Sequence, residues 1–265
     1  MNKILIPFVF LSLLLFSCKG DGAEKRAALS EAPYTLTFAE AYAQEPDCGK
    51  DATDCTYARL KVPVLSAGDP ETAGRINADV DALVRAYLKE RLPEPMAMGT
   101  LDDLAEKFTE GYTLYTMEFP DNPGKWYFEA RGDSSALLDD YFVLHLTFDE
   151  YMGGAHPNAH TVLKNYSLAD GTAVPIEELT DADALRKRAE KAFRWQFGLK
   201  RGDDLNDRGF MFEGGVFTLP ENIALTPRGY LLIYNPYEVS SYAEGEIRIL
   251  LPYEKKKEEA PEPTV

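Results

Sequence analysis

The 265-residue chain is poor in basic residues and in the side chains that most often bind metals or act as nucleophiles. Lysine and arginine number 28 against 44 aspartates and glutamates, which gives a formal net charge of −16. A protein that binds nucleic acid through its phosphates needs a surplus of lysine and arginine, so this function is excluded. With only three histidines and three cysteines, few sets of residues can form a metal or thiol centre.

Familiar catalytic motifs are missing as well. The chain has no Gly-x-Ser-x-Gly elbow and no phosphate-binding loop, which are the signatures of serine hydrolases and of many nucleotide-binding enzymes. Pairs of carboxylates are common in so acidic a chain and discriminate nothing. The sequence therefore gives no positive sign of catalysis, and we expect neither a cofactor nor a bound metal.

Only one long apolar run is present, and it lies at the N-terminus. Lys3 precedes residues 4–16, which are apolar apart from Ser12. A run of this length is too short for an ordinary membrane span and is typical of a signal peptide. It predicts a signal peptide over residues 1–17.

The end of this run resembles the bacterial lipobox, in which small residues precede a cysteine that receives lipid. Here the residues are Leu15-Phe16-Ser17-Cys18. We predict that Cys18 is lipidated, the alternative being an ordinary secretory signal with a chance cysteine. Because Lys19 is not the aspartate that marks retention at the inner membrane, the resemblance implies a lipid-anchored protein of the cell envelope at the outer membrane. Removal of Lys3 with the signal changes the net charge to −17, from 27 basic and 44 acidic residues.

The other two cysteines, Cys48 and Cys55, are predicted to form a disulfide. An export signal places them in an oxidising compartment, where an isolated pair is usually bonded. The six residues between them are rich in Gly, Asp and Thr, which suits the tip of a hairpin. A redox-active dithiol is the alternative, but it usually has two intervening residues and lies at a helix start.

Hydrophobic periodicity predicts an α+β fold, with antiparallel, meandering sheets and a few helices packed on one face. Helices are predicted around residues 76–88, 101–108 and 181–198, the last with a capping box formed by Thr180 and Asp183. Strands are predicted at residues 34–38, 58–64, 112–119, 126–133, 140–151, 160–168, 215–220, 222–235 and 245–252. Residues 18–33 are expected to be a flexible tether, and residues 254–265 a disordered tail.

Three stretches of the chain resemble a pair of adjoining modules of undefined role. These modules occur in the ectodomain of RsiV, the lysozyme-sensing anti-sigma factor, and the first also occurs in the PdaC peptidoglycan deacetylase. The resemblance is carried by the stretch from Cys55 to Val84, by Gly153-Gly154-Ala155-His156 with Asn165-Tyr166-Ser167-Leu168, and by residues 217–254 with Tyr237-Glu238-Val239, Tyr242 and Gly245. It implies a first module over residues 34–169 and a second over residues 170–253. Ser167 stands where the family has an aspartate.

The histidines raise the question of a metal or proton-transfer site. His156 and His160 are four residues apart, which places two ligands on one face only if the segment is helical. Gly153, Gly154 and Pro157 disfavour a helix, and His145 lies between Leu144 and Leu146 in a predicted strand. A shaped bend is the preferred interpretation, and a ligand-binding surface at this bend is the second. The candidate ligand-binding residues are Tyr151, Gly153, Gly154, His156, Asn165, Tyr237 and Tyr242.

Three functional hypotheses follow. The first is a non-enzymatic envelope lipoprotein that binds a protein or a peptidoglycan-related ligand, and the resemblance to RsiV implies a cationic, lysozyme-like partner. The second is an envelope glycan hydrolase or deacetylase that uses His156 and nearby carboxylates. The third is a structural component of the outer membrane without a soluble ligand.

Overall fold

A computed structural model describes residues 34–46, 48, 54–92, 98–121 and 124–254. The described residues form two β-sheets and four helices, so the predicted α+β class is confirmed. The predicted signal peptide, the lipidation site Cys18, the tether and all but the first residue of the tail lie outside them. In the described parts, no helix is long and apolar enough to cross a bilayer.

The first sheet has six strands: β1 (Thr35–Gln44), β2 (Tyr57–Ser66), β3 (Tyr127–Arg131), β4 (Ala136–Leu138), β5 (Tyr141–Tyr151) and β6 (Asn158–Ser167). They lie in the order β1-β2-β3-β5, with β4 and β6 also paired to β5. Every pairing is antiparallel except that of β2 with β3, which is parallel. This one pairing departs from the predicted antiparallel meander, because two helices between β2 and β3 carry the chain back to the end of the sheet at which β2 begins.

Two helices, α1 (Pro70–Lys89) and α2 (Leu101–Glu118), cover one face of this sheet. Asp69 caps α1, and Thr100 with Asp103 forms a capping box that starts α2. Helix α2 is longer than predicted, and the expected strand over residues 112–119 is wrong. Its aromatic residues suggested a strand, but Tyr112 and Tyr115 pack against Trp126 from a helix, with ring centroids 5.6 and 4.9 Å away. Tertiary packing overrides a local β preference here.

The second part of the chain contains α3 (Ile176–Leu179), α4 (Ala182–Gln196) and a three-stranded antiparallel sheet. The strands are β7 (Asn222–Thr226), β8 (Gly229–Tyr234) and β9 (Ile247–Leu251). Helix α4 packs on this sheet around a core centred on Phe193. Asp181 caps α4 through the backbone N–H of Ala184, so the predicted capping box of Thr180 and Asp183 is wrong. The predicted strand over residues 215–220 is also absent, because Phe217 is buried from a loop and pairs with no strand.

The disulfide between Cys48 and Cys55 is confirmed, with their Cα atoms 6.1 Å apart. It closes the loop that joins β1 and β2, which pair along their whole length from Thr35 to Gln44. The bond therefore ties the hairpin that forms one edge of the first sheet.

Asparagine side chains join the two parts of the chain along the outer edge of β6. We call this contact, made by Asn165, Asn222 and Asn235, the joint. The amide of Asn235 accepts from the Thr161 N–H (2.7 Å) and donates to the Thr161 carbonyl (2.9 Å). Asn222, from the second part, accepts from the Leu163 N–H. Asn165, from β6, donates to the Ile223 carbonyl and accepts from the Leu225 N–H. A small apolar cluster lies behind these bonds, formed by Val143, Leu163, Ala224 and Ile233. The free edge of β6 is thus satisfied by amides in place of another strand.

Candidate functional site

The segment after β5 is a bend and not a helix. Residues 152–156 are a run of bends, and Gly153 and Gly154 have φ values of +91° and +102°, a region that favours glycine. The Tyr151 hydroxyl donates to the Gly154 carbonyl at 3.0 Å and closes the bend. His156 and His160 therefore do not share a helix face, as the preferred interpretation expects.

The bend brings His156 against a loop from the second part of the chain. The His156 ring stacks on Tyr242, with centroids 3.7 Å apart and planes 18° apart. Its Nδ1 lies 2.8 Å from the Pro157 carbonyl, and its Nε2 lies 3.3 Å from the Tyr237 hydroxyl. We call the three rings of His156, Tyr237 and Tyr242 the aromatic corner. The structure thus brings together three of the residues singled out in the sequence.

Tyr237 projects from this corner with an unusual backbone. It has φ +69° although it is not a glycine, and 59% of its surface is exposed. The turn is closed by the Asn235 N–H, which donates to the Glu238 carboxylate at 2.9 Å, and by the Glu238 N–H, which donates to the Asn235 carbonyl. A non-glycine residue in this region is strained and is kept only where its surroundings impose it. The turn holds a large, half-exposed ring outward.

A row of tyrosines on the open face of the first sheet leads to the aromatic corner. Tyr42, Tyr57, Tyr127 and Tyr151 follow one another across β1, β2, β3 and β5, with neighbouring ring centroids 5.9 to 6.4 Å apart. Sequence reasoning identified only Tyr151. The alternation of β1, β2 and β3 indicates that the other three point to one face, but their alignment depends on the strand order, which the sequence does not give.

Charged pairs lie between these rings. The Arg59 guanidinium is 5.6 Å from the ring centroids of both Tyr42 and Tyr57, and it pairs with Glu129. Burial and the nearby Glu129 carboxylate raise the pKa of Tyr57 to about 12, and burial also raises the pKa of Tyr127. The Tyr57 hydroxyl already donates to the Glu129 carboxylate at 3.0 Å.

The other two histidines lie apart from the corner. His145 is in the middle of β5, and burial, helped by Arg248, lowers its pKa. His160 is in β6, where burial and Arg91 lower its pKa. Among the described residues, no group of three or more His, Cys, Asp or Glu side chains is placed to hold a metal ion.

Asn165 is not part of this surface. Only 4% of it is exposed, and both ends of its amide are bonded to the backbone of the second part of the chain. Its side chain belongs to the contact between the two parts of the chain. Tyr151, Gly153 and Gly154 do lie at the corner, where they form the bend that positions His156.

Comparison with known proteins identifies a domain in one segment of the chain and supports the fold. Residues 177–254 match a family described as "Protein of unknown function (DUF3298)", so this segment contains a DUF3298 domain. A crystal structure of a DUF3298 family member from Bacteroides fragilis is 18% identical, with a TM-score of 0.61, and the match covers 83% of this chain and 90% of that one. A DUF3298 family protein from Pseudomonas aeruginosa is 17% identical, with a TM-score of 0.55 and coverage of 83% and 91%. No curated protein matches the chain. These similarities establish the fold and leave the activity open.

Proposed function

We propose that the protein is a non-catalytic binding protein of the cell envelope, anchored through lipid on Cys18. Its ligand is a cationic, lysozyme-like protein, which contacts the aromatic corner. The observation that carries the proposal is Tyr237, a half-exposed ring held outward by a strained turn beside the stacked rings of His156 and Tyr242.

Tyrosine and arginine are enriched among the residues that dominate protein interfaces, and rigid tyrosines lose little entropy on binding. At the corner, the bend from the first part of the chain supplies His156, and the loop from the second supplies Tyr237 and Tyr242. The row of tyrosines with Arg59 extends this surface across the open sheet. The composition and rigidity of the surface support a binding site for a protein.

The environment of His156 favours binding over turnover. Its two ring nitrogens face a backbone carbonyl and a phenol. A histidine that acts as a general base is usually oriented by a carboxylate and faces a nucleophile or a substrate proton. Among the described residues, no carboxylate forms a hydrogen bond with the His156 ring, so the orienting group that the glycan hydrolase hypothesis requires has no observation in its favour.

The acidity of the chain would assist the encounter with such a partner. A charge of −17 on the processed chain attracts cationic proteins over a distance of about one Debye length, roughly 8 Å at physiological salt. This attraction acts on the association rate and is not specific. Specificity must come from the corner.

Replacing Tyr237 with Ala is expected to weaken binding of a lysozyme by about 2 kcal/mol or more, which is roughly 30-fold in Kd, because a central aromatic anchor is lost. Calorimetry at physiological salt measures the effect. Tyr253→Ala is the matched control. Tyr253 is 42% exposed and lies after β9, at the end of the second sheet away from residues 235–246. This variant should bind as the unchanged protein does.

A basic protein of the same charge as the lysozyme serves as the second control, and soluble peptidoglycan fragments test the other ligand class. Equal weak heats for lysozyme and the basic control, vanishing together as salt is raised, would rule out a specific protein ligand. Heats from the fragments alone, lost in Tyr237→Ala, would assign the corner to peptidoglycan.

The lipid anchor is tested separately. Changing Cys18 to Ser should abolish acylation, because the thiol that accepts the lipid is removed, and should leave an uncleaved or soluble form. Fractionation of cells, with mass spectrometry of the N-terminal peptide, measures both. A Cys18→Ser protein that still carries covalent lipid would refute the assignment.

A further inference from the structure

Helix α4 carries an exposed tryptophan on the same side as two exposed lysines. Asp183, Lys187, Lys191 and Trp195 follow one another at intervals of four residues, so they lie on one side of the helix, and all four are exposed. Trp195 is 85% exposed. An indole this accessible is unusual, because tryptophan is highly buried on average in folded proteins.

The charge of this region is opposite to that of the whole chain. Residues 186–201 contain seven basic residues and one acidic residue, Glu190, with Asp181 and Asp183 before this stretch and Asp203 and Asp204 after it, whereas the chain as a whole carries −16. Three of the arginines are paired: Arg186 with Asp183, Arg188 with Glu254, and Arg194 with Glu190. The remaining cations are exposed and have no ion-pair partner in the part of the chain that the structure describes: Lys187, Lys191, Lys200 and Arg201.

The opposite side of α4 fixes this orientation. Leu185, Ala189 and Phe193 are buried in the second core. The helix cannot rotate Trp195 inward without exposing Phe193, so the basic and aromatic side faces outward permanently. We call the surface formed by Lys187, Lys191 and Trp195 the α4 face, and Lys200 and Arg201 follow the end of the helix.

We propose that the α4 face rests on an anionic membrane surface. Lysines and arginines beside a membrane are attracted by acidic lipid headgroups. Tryptophan prefers the boundary between headgroups and acyl chains, and a helix with a basic face and a tryptophan is typical of interfacial binding. The α4 face combines these features in a chain whose total charge opposes such contact, so the attraction must be local.

The proximity of a membrane rests on the proposed lipid anchor. Residues 18–33 span at most about 58 Å when fully extended, so a chain anchored at Cys18 keeps the fold within reach of the bilayer. Contact through the α4 face would then set the orientation of the fold on the membrane.

The test uses the processed chain, residues 18–265, with Cys18→Ser so that no acyl chain contributes. Its partition onto vesicles of phosphatidylcholine with phosphatidylglycerol is compared with its partition onto phosphatidylcholine alone. The anionic vesicles should bind the protein and shift the Trp195 emission to the blue. Trp126 is buried and should not contribute to the shift, which Trp195→Phe should abolish.

Lys187→Gln with Lys191→Gln should weaken partition about 30-fold, since each cation near an anionic surface contributes about 1 kcal/mol. The matched control is Lys61→Gln with Arg75→Gln, which removes two cations from the first part of the chain and should change partition little. Equal partition of both double variants, or no preference for anionic vesicles, would overturn the proposal. Tighter binding to a short DNA duplex than to vesicles would assign the α4 face to another polyanion and also overturn it.

This measurement is independent of the proposed function. The protein carries no lipid and the vesicles contain no protein ligand, so a failure here leaves the Cys18 anchor and the aromatic corner untouched. A failure of those proposals would likewise leave the vesicle result unchanged.

Discussion

Phe193→Ala is expected to lower the free energy of unfolding by about 3–5 kcal/mol, the range for removing a fully buried phenylalanine. Phe193 has 0% exposure and lies at the centre of the second core. Five aromatic rings surround it with centroids 4.7 to 6.1 Å away: Phe197, Phe210, Phe212, Phe217 and Tyr234. Because these rings come from the C-cap of α4, from β8 and from an irregular loop, they cannot all move into the vacated space, and a cavity should remain.

Chemical denaturation measures the loss, and Phe128→Ala is the matched control in the first core. Phe128 is also fully buried, and it contacts the rings of Tyr87, Phe108 and Phe148. Hydrogen exchange should locate the two effects, with protection lost first in α4 and β8 for Phe193→Ala and first in α1 and β5 for Phe128→Ala. A loss below about 1 kcal/mol for Phe193→Ala would mean that the loop collapses around the site and that the second core is not rigid.

Local patterns predicted most strands and helices of the fold. Alternating burial in β1, β2 and β5 is visible in the sequence, and so is the inward face of α1 from Ile76 to Leu88. The errors occur where contacts with residues distant in the sequence determine the local structure. Residues 112–118 are helical, and from the helix Tyr112 and Tyr115 pack against the ring of Trp126. Phe217 is buried without being in a strand, because it packs against Phe193 and Phe212.

The candidate site was predicted in part for the same reason. The glycines and the broken periodicity identified the bend at His156, but they could not show that Tyr242 stacks on it from 86 positions further along the chain. The row from Tyr42 to Tyr151 depends on the parallel pairing of Tyr57 with Tyr127, which no local pattern reveals. Asn165 was a candidate ligand-binding residue, but its buried amide bonds the backbone of Ile223 and Leu225.

Asn235→Ala is expected to lower the free energy of unfolding by about 2–4 kcal/mol, because it leaves two buried backbone groups without partners. Thr161 has 0% exposure, and its N–H and carbonyl are both bonded by the Asn235 amide. The loss should exceed that of an exposed asparagine, which is typically within about 0.5 kcal/mol. Asn235→Asp keeps the acceptor and removes the donor, so it should also be destabilising.

Asn77→Ala is the matched control for this joint. Asn77 makes the same two bonds to a single residue, accepting from the Leu65 N–H and donating to the Leu65 carbonyl at 2.8 Å each, but within the first part of the chain. It should lower stability by a comparable amount and leave the joint intact. Increased hydrogen exchange at residues 161–165 and 223–225 is therefore expected for Asn235→Ala and not for Asn77→Ala.

The joint and the aromatic corner are linked through the same turn. Asn235 lies two residues before Tyr237, and its N–H closes the turn through Glu238. A loosened Asn235 should release Tyr237 from its strained conformation and separate the rings of His156 and Tyr242. Asn235→Ala should thus weaken ligand binding at a temperature where the variant is still folded, whereas Asn77→Ala of similar stability should not. Equal binding by the two variants would show that the corner forms without the joint. The contact between the two parts of the chain would then have no role in ligand recognition.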